Sequence, residues 1–221
     1  MPTETFFNLP KEKQQRILDA AKKEFSRASL KDASIANVIK DAEIPRGSFY
    51  QYFKDKEDLY YYYFQTVRHD GHRYLISSIQ QAKGDLFQGF EEYFAWMVPE
   101  IFVGDHALFY KNVFTNMDYH GFRRVAPHLE KNSEACQDKQ LAHKKHQKDL
   151  LDAIDRSTLK VADDHELHLL LQLVMHTLFT TIADGYRRVL MDGSYDIEQI
   201  NRNFESKVNW LKNGARKEQD E

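Results

Sequence analysis

Residues Ser34 to Leu59 read SIANVIKDAEIPRGSFYQYFKDKEDL, and the fold turns on how this stretch is parsed. Ser34 stands where a helix cap belongs, since its hydroxyl can accept from an orphan backbone N–H two or three residues on. Ile35, Val38 and Ile39 follow at helical spacing and give that helix one apolar face. Asp41, Ala42, Glu43 and Ile44 must form the turn, with Ile44 returning the chain to the core. Pro45 suits the first turn of a second helix, where its missing N–H is no loss and its fixed φ is already helical. That second helix, to about Tyr52, carries Arg46, Gly47, Ser48, Tyr50, Gln51 and Tyr52 beside the single buried-looking Phe49. So many hydrogen-bonding groups suit a polar surface better than a core.

Outward from this stretch the chain reads as helix after helix. Pro10 to about Arg27 is amphipathic, with Ile17, Ala21 and Phe25 in one stripe and Leu18 beside it. Asp55 caps a fourth helix running through Tyr60–Phe64 toward Ala82, which Gly71 is expected to bend or weaken. Asp85 to Val103 is aromatic, and Pro99 is expected to kink it or end its regular part. His106 to Met117 follows, then an irregular stretch around Tyr119–Gly121 and a long polar segment, Pro127 to Arg156. Asp163 and Asp164 cap the most apolar helix, Glu166–Leu190. Gly193 separates it from an amphipathic helix, Ile197–Leu211, and residues 214–221 form a polar tail.

The composition agrees with an all-α chain. Among 221 residues, 42% are hydrophobic and 13% aromatic, while Gly (9) and Pro (5) are scarce. The single cysteine, Cys136, excludes an internal disulfide framework and a four-cysteine zinc site. The amino terminus lacks the apolar run of a secretory signal, and no window approaches eighteen apolar residues, so a cytoplasmic protein with no membrane partner is expected. The net charge is −3, but it is unevenly divided. Residues 1–68 hold 12 Lys and Arg against 10 Asp and Glu, whereas the remainder holds 19 against 24. That asymmetry suits a nucleic-acid module on an acidic body. An enzyme is the first rival class, yet the chain has no glycine-rich phosphate loop and no HExxH, and Cys136 lies among charged residues. A small-molecule or haem carrier without a DNA function is the second.

Ile35-Ala36, Ala42, Ile44, Gly47-Ser48-Phe49-Tyr50, Tyr52-Phe53 and Lys56-Glu57-Asp58-Leu59 together resemble the Tet-repressor family of bacterial transcription regulators. The resemblance covers about the first 60 residues at motif level, and beyond them only length, helical content and helix order. Two positions depart from the family pattern. Glu43 stands where Gly is usual, so the turn must accommodate a side chain. Pro45 stands where a small hydroxyl residue is common, which removes one phosphate contact.

The resemblance implies an amino-terminal three-helix helix-turn-helix DNA-binding domain (8–55) and a helical ligand-binding and dimerisation domain (56–213), linked by the fourth helix. A homodimer would read a pseudo-palindromic double-stranded operator and, as a repressor, release it on binding a small-molecule effector. The residues expected to meet DNA are Ser34, Pro45, Arg46, Gly47, Ser48, Tyr50, Gln51, Tyr52 and Lys56. Arg46 suits guanine N7 and O6, and the hydroxyls and Lys56 suit phosphates. A ligand pocket is expected among Phe64, His72, Phe90, Phe94, Trp96, Phe109, Phe114, Met117, Met175 and Phe179. The dimer surface is expected on the last two helices, at Leu170, Val174, Leu178, Ile182, Ile200, Phe204 and Val208. No cofactor is certain. The run PRGSFYQYF is similar to that of a haem-responsive family member, which implies haem or a metal as a possible effector, with His72 and either His143 or His146 as ligands. Surface or core histidines are the alternative at each position.

Overall fold

The computed structural model describes residues 2–116 and 148–213, and the regular elements among them are helical, as expected. In chain order these are α1 (Glu4–Phe7), α2 (Lys11–Arg27), α3 (Ile35–Asp41), α4 (Arg46–Tyr52), α5 (Lys56–Val67), α6 (His69–Gln81), α7 (Leu86–Val103) and α8 (Ala107–Asn116). Helical residues 148–153 and a 3-10 turn (Arg156–Thr158) then lead to α9 (Asp164–Asp192) and α10 (Ile197–Asn213). Met117, Cys136, His143, His146, the Tyr119–Gly121 stretch and the tail 214–221 lie outside the described residues.

Two compact units share these elements, one within Met1–Asp70 and Glu100–Val125, the other within Gly71–Pro99 and Ala126–Glu221. The first unit therefore contains α1 to α5 and α8. Its core is largely aromatic: Phe6, Phe25, Phe49, Phe53 and Phe109 are fully buried. The Phe25 ring meets Tyr60 edge-on at 5.0 Å, and Phe109 meets Tyr63 at 4.9 Å. Asn112 of α8 donates its amide to the carbonyls of Phe25 and Ser26 at 2.9 and 3.0 Å. These are among the last carbonyls of α2, which a helix leaves without internal partners. The polar bond thus seats α8 on α2.

The second unit is built on α6, the amino-terminal part of α7, α9 and α10. Gly89 lets α7 lie directly on α6, since a Cβ there would stand 2.5 Å from Ile79 Cγ1 and 2.7 Å from its Cα. Phe94 of α7 stacks on Phe204 of α10 at 3.9 Å. Asp163 caps α9 by accepting from the Glu166 N–H, and Gly193 ends it in the left-handed conformation at φ 74°, as a C-terminal glycine commonly does.

Several expected features differ. The fourth helix of the sequence reading is divided at Arg68 rather than bent at Gly71. Arg68 closes α5 with its N–H on Phe64 O, while Gly71 instead admits the Tyr93 hydroxyl close to its backbone. Pro99 does not end α7, which runs on to Val103, although the boundary between the two units falls between Pro99 and Glu100. The short α1 was not anticipated. By length and composition α9 is apolar enough to cross a membrane, against the expectation, yet Leu167, Val174, Leu178 and Ile182 on it are buried within the domain.

That last burial corrects the dimer surface. Val174, Leu178, Ile182, Ile200, Phe204 and Val208 are buried in one protomer, leaving Leu170 alone of the expected set partly accessible. The stripe expected to form a dimer surface is therefore core in this chain. A helix apolar on more than one face leaves the choice to its neighbours, and the buried stripe here runs through Leu167, Leu171, Val174, Leu178 and Ile182. The exposed apolar residues on these two helices include Leu169, Leu173 (53% exposed), Leu190 and Met191 on α9 and Trp210 (58% exposed) on α10.

Candidate nucleic-acid interface

The turn between α3 and α4 is tight. Ile44 N–H donates to Ile39 O at 3.1 Å, and Glu43 adopts φ 51°, the left-handed region that glycine enters without steric cost. The side chain at this family-glycine position is thus accommodated in a conformation that costs about 1–2 kcal/mol for an L-residue. Pro45 precedes α4 with φ −61°, and its carbonyl accepts from Ser48 N–H at 3.0 Å, which starts the helix as the proline placement predicts.

The seven residues of α4 divide into two faces. Phe49 and Tyr52 point inward with Phe53, and Arg46, Gly47, Tyr50 and Gln51 are exposed. Ser48 is half-buried. A Cβ built on Gly47 meets nothing within 4 Å, so the glycine leaves open space on the outer side of the helix. Arg46 is the long cation on this face. Tyr52 departs from the expectation of a phosphate-facing hydroxyl, because its ring is buried against Phe6 and lies under Lys13.

Ser34 and Lys56 also behave differently from the sequence reading. The Ser34 hydroxyl makes no cap bond to α3; instead its N–H donates to Glu24 Oε1 at 2.6 Å. Lys56 turns its ammonium onto the carbonyls of Lys31 and Ala33 at 2.6 and 3.1 Å. It ties the head of α5 to the connector before α3, so a phosphate would share an ammonium that already has two partners. At the same helix head Asp55 accepts from Asp58 N–H at 2.8 Å, the cap read from the sequence.

Glu24 is the site residue that the sequence reading missed. Its carboxylate is buried, forms a two-bond pair with Arg27 at 2.6 and 2.9 Å, and also accepts from Asn37 Nδ2 at 3.0 Å. The Arg27 bonds, aided by the Ser34 and Asn37 donors and opposed by burial, pull its pKa down to about 2. One α2 side chain therefore holds the start of α3. The available signal was its register: Glu24 follows Ala20 and Ala21 by a helical turn, and so lies on the buried face of α2.

The expected pocket residues are divided between the two units. Phe64, Phe109 and the half-buried Phe114 belong to the first unit, where Phe64 and Phe109 fill its core. Phe90, Phe94, Met175 and Phe179 are buried in the second unit, which also holds the half-buried His72. Trp96 is turned outward, 42% exposed, and stacks on Tyr74 at 4.1 Å. Among the described residues no group of three or more His, Cys, Asp or Glu side chains is placed to hold a metal.

A short polar helix held outward by a tight turn, on a compact helical base, defines a helix-turn-helix DNA-binding transcriptional regulator. Residues 17–63 match the family described as bacterial regulatory proteins, tetR family, and residues 85–215 match the tetracyclin repressor-like C-terminal domain. The chain belongs to the TetR family of transcriptional regulators. Proteins of this family are not enzymes. An HTH-type transcriptional regulator of Staphylococcus aureus (strain USA300) is 33% identical over 81 residues, 37% of this chain and 42% of the relative, so the match spans under half of either protein. The fold resembles that of the fatty acid degradation regulator FadR from Bacillus halodurans, with a TM-score of 0.54 at 20% identity over 91% of this chain and 99% of that one. A TetR family transcription regulator from Marinobacter aquaeolei VT8 is similar to the same degree, with a TM-score of 0.54 at 18% identity over 90% and 97% of the two chains.

Proposed function

We propose that the protein is a homodimeric repressor, in which α4 of each protomer reads one half of a pseudo-palindromic operator and a small molecule bound by the carboxy-terminal helices releases it. The observation that carries the reading is the outward face of α4, where Arg46, Gly47, Tyr50 and Gln51 stand exposed on a helix anchored from behind by Phe49. A recognition helix enters the major groove with its amino-terminal residues toward the base edges. Arg46 then pairs with a guanine through N7 and O6, and open Gly47 lets the backbone approach the duplex. Tyr50 and Ser48 hold phosphates, with Lys56 and Ser34 at the margin. Within this reading residues 8–55 bind DNA, and residues 56–213 sense the effector and dimerise.

Two copies are required because one short helix covers only a few base pairs, and a symmetric dimer spaces its two readers about one DNA turn, ~34–36 Å, apart. Leu169, Leu173 and Trp210 supply an exposed apolar surface on α9 and α10 that supports this assembly. An effector acts by binding more tightly to the protomer spacing that does not fit DNA, which shifts the population away from the operator.

Titration of fluorescent duplexes carrying the protein's own promoter tests the reader. Binding should weaken steeply with salt as phosphate contacts release counterions. Arg46→Ala should lose about 1–3 kcal/mol of discrimination between the operator and a duplex with the contacted guanine replaced. Undiminished discrimination in that variant would remove Arg46 from its assigned role.

A further inference from the structure

The first residues of the chain are bonded to the far end of α4. Thr3 N–H donates to Tyr52 O at 2.9 Å, and the Thr3 hydroxyl donates to Gln51 O at 2.6 Å. Both acceptors are among the last carbonyls of α4, which the helix itself leaves unpaired. Phe6, fully buried, fits between α4 and α5. Its ring lies 5.0 Å from Phe53, 6.4 Å from Tyr52 and 5.4 Å from Tyr62. Behind it, Gln14 of α2 donates its side-chain amide to Phe7 O and Leu9 O at 3.1 and 2.8 Å. The segment before α2 is thereby tied to α2, α4 and α5 at once.

A helix of α4's length has little stability of its own, since isolated helices shorter than about 12–15 residues are marginal in water. Its position must come from its attachments. At the amino end Pro45 and the turn supply them. In the middle Phe49 is the anchor. At the carboxyl end Thr3 and Phe6 supply them, beside Lys13 over the Tyr52 ring.

We propose that residues 3–9 form a strap that fixes the carboxyl end of α4, making Thr3 and Phe6 positioning residues for DNA reading although neither stands on the exposed face of that helix. This rests on the reading of α4 as the DNA-facing helix. With the strap in place, the axis of α4 is held against α5 and the base-edge groups stand ready for the groove. Without it, the last turn frays and the helix must be ordered at the expense of binding free energy.

Thr3→Val keeps the side-chain shape and removes only the bond to Gln51. Thr3→Pro removes both donors while fitting the backbone, because Thr3 already has φ −75°. Thr3→Ser restores the hydroxyl. The probe is the duplex that wild-type protein selects from a randomised pool, with a scrambled duplex as control, and binding is measured well below the melting temperature of every variant. Affinity for the selected duplex should fall about tenfold for Thr3→Val and further for Thr3→Pro. Thr3→Ser should restore it, and affinity for the scrambled duplex should change little. Hydrogen exchange should also speed up at the amides of Tyr50–Phe53 in the Val and Pro variants, with DNA absent. Wild-type affinity and exchange in Thr3→Pro would overturn the strap. Faster exchange with unchanged discrimination, together with an Arg46→Ala variant that still discriminates, would instead overturn α4 as the reader.

Discussion

At Glu24 a carboxylate with 2% of its surface exposed holds the start of a helix from a later part of the chain. Its ionised form is favoured by the fold, since its pKa is drawn from 4.5 to about 2. A group whose folded value lies below its unfolded value stabilises the protein in full above the unfolded value, and that contribution is lost as the pH falls toward the folded one. The wild type should therefore lose on the order of 1–3 kcal/mol between pH 5 and pH 2 from this group, since solvent at the half-exposed Arg27 screens the pair. Urea unfolding of Glu24→Gln should show a deficit at pH 7 that narrows through the same window; a deficit independent of pH would contradict the account. Glu43 makes the opposite case. With φ 51° it sits where a glycine would relax, and its exposed pair with Arg16 at 3.4 Å contributes little in compensation. Glu43→Gly should raise stability by about 0.5 kcal/mol and Glu43→Val should lower it by more than 1 kcal/mol. A loss on the glycine change would show that the turn carries no strain.

Among the elements, the crossing of α6 and α7 depends on the missing side chain of Gly89, where a Cβ would strike Ile79 backbone as well as side-chain atoms. Backbone cannot rotate aside as a flexible side chain can, so the two helices must separate. Gly89→Ala is expected to cost about 1–3 kcal/mol, despite alanine's better helix propensity, and a melting curve would register the sign directly. A rise in melting temperature would mean that α7 is free to move. Nothing in the sequence distinguishes Gly89 from Gly71, because periodicity shows that a helix forms but says nothing about how closely its neighbour approaches. For the same reason the sequence shows α5 and α6 as one helix. The one-residue break at Arg68 leaves the apolar spacing on either side intact.

For the whole molecule the surface to which the proposed dimer is assigned is the apolar one left exposed on α9 and α10. If the proposed dimer forms through that surface, replacing Leu173 with Glu and Trp210 with Ala should give monomers in sedimentation, because a charge brought into an apolar interface is left without a partner. Operator binding should then fall at least 100-fold, since each protomer would hold only a half-site. A variant that remains dimeric would place the interface elsewhere. Helical content, the helix-turn-helix and the outward character of Arg46 were all legible in residues 34–59, where spacing, Pro45 and the alternation of polar and apolar positions act over a few residues. Other features were decided by contacts between distant parts of the chain: Thr3 reaches Gln51, Glu24 reaches Ser34, and Asn112 reaches Phe25. Which stripe of α9 is buried belongs with them. Local patterns specify that a helix forms and that it has an apolar side, but the partner for each carbonyl, ammonium and ring is chosen only when the helices meet. At α4 the two levels join, since its start is written in its own sequence and its far end is held by the first residues of the chain.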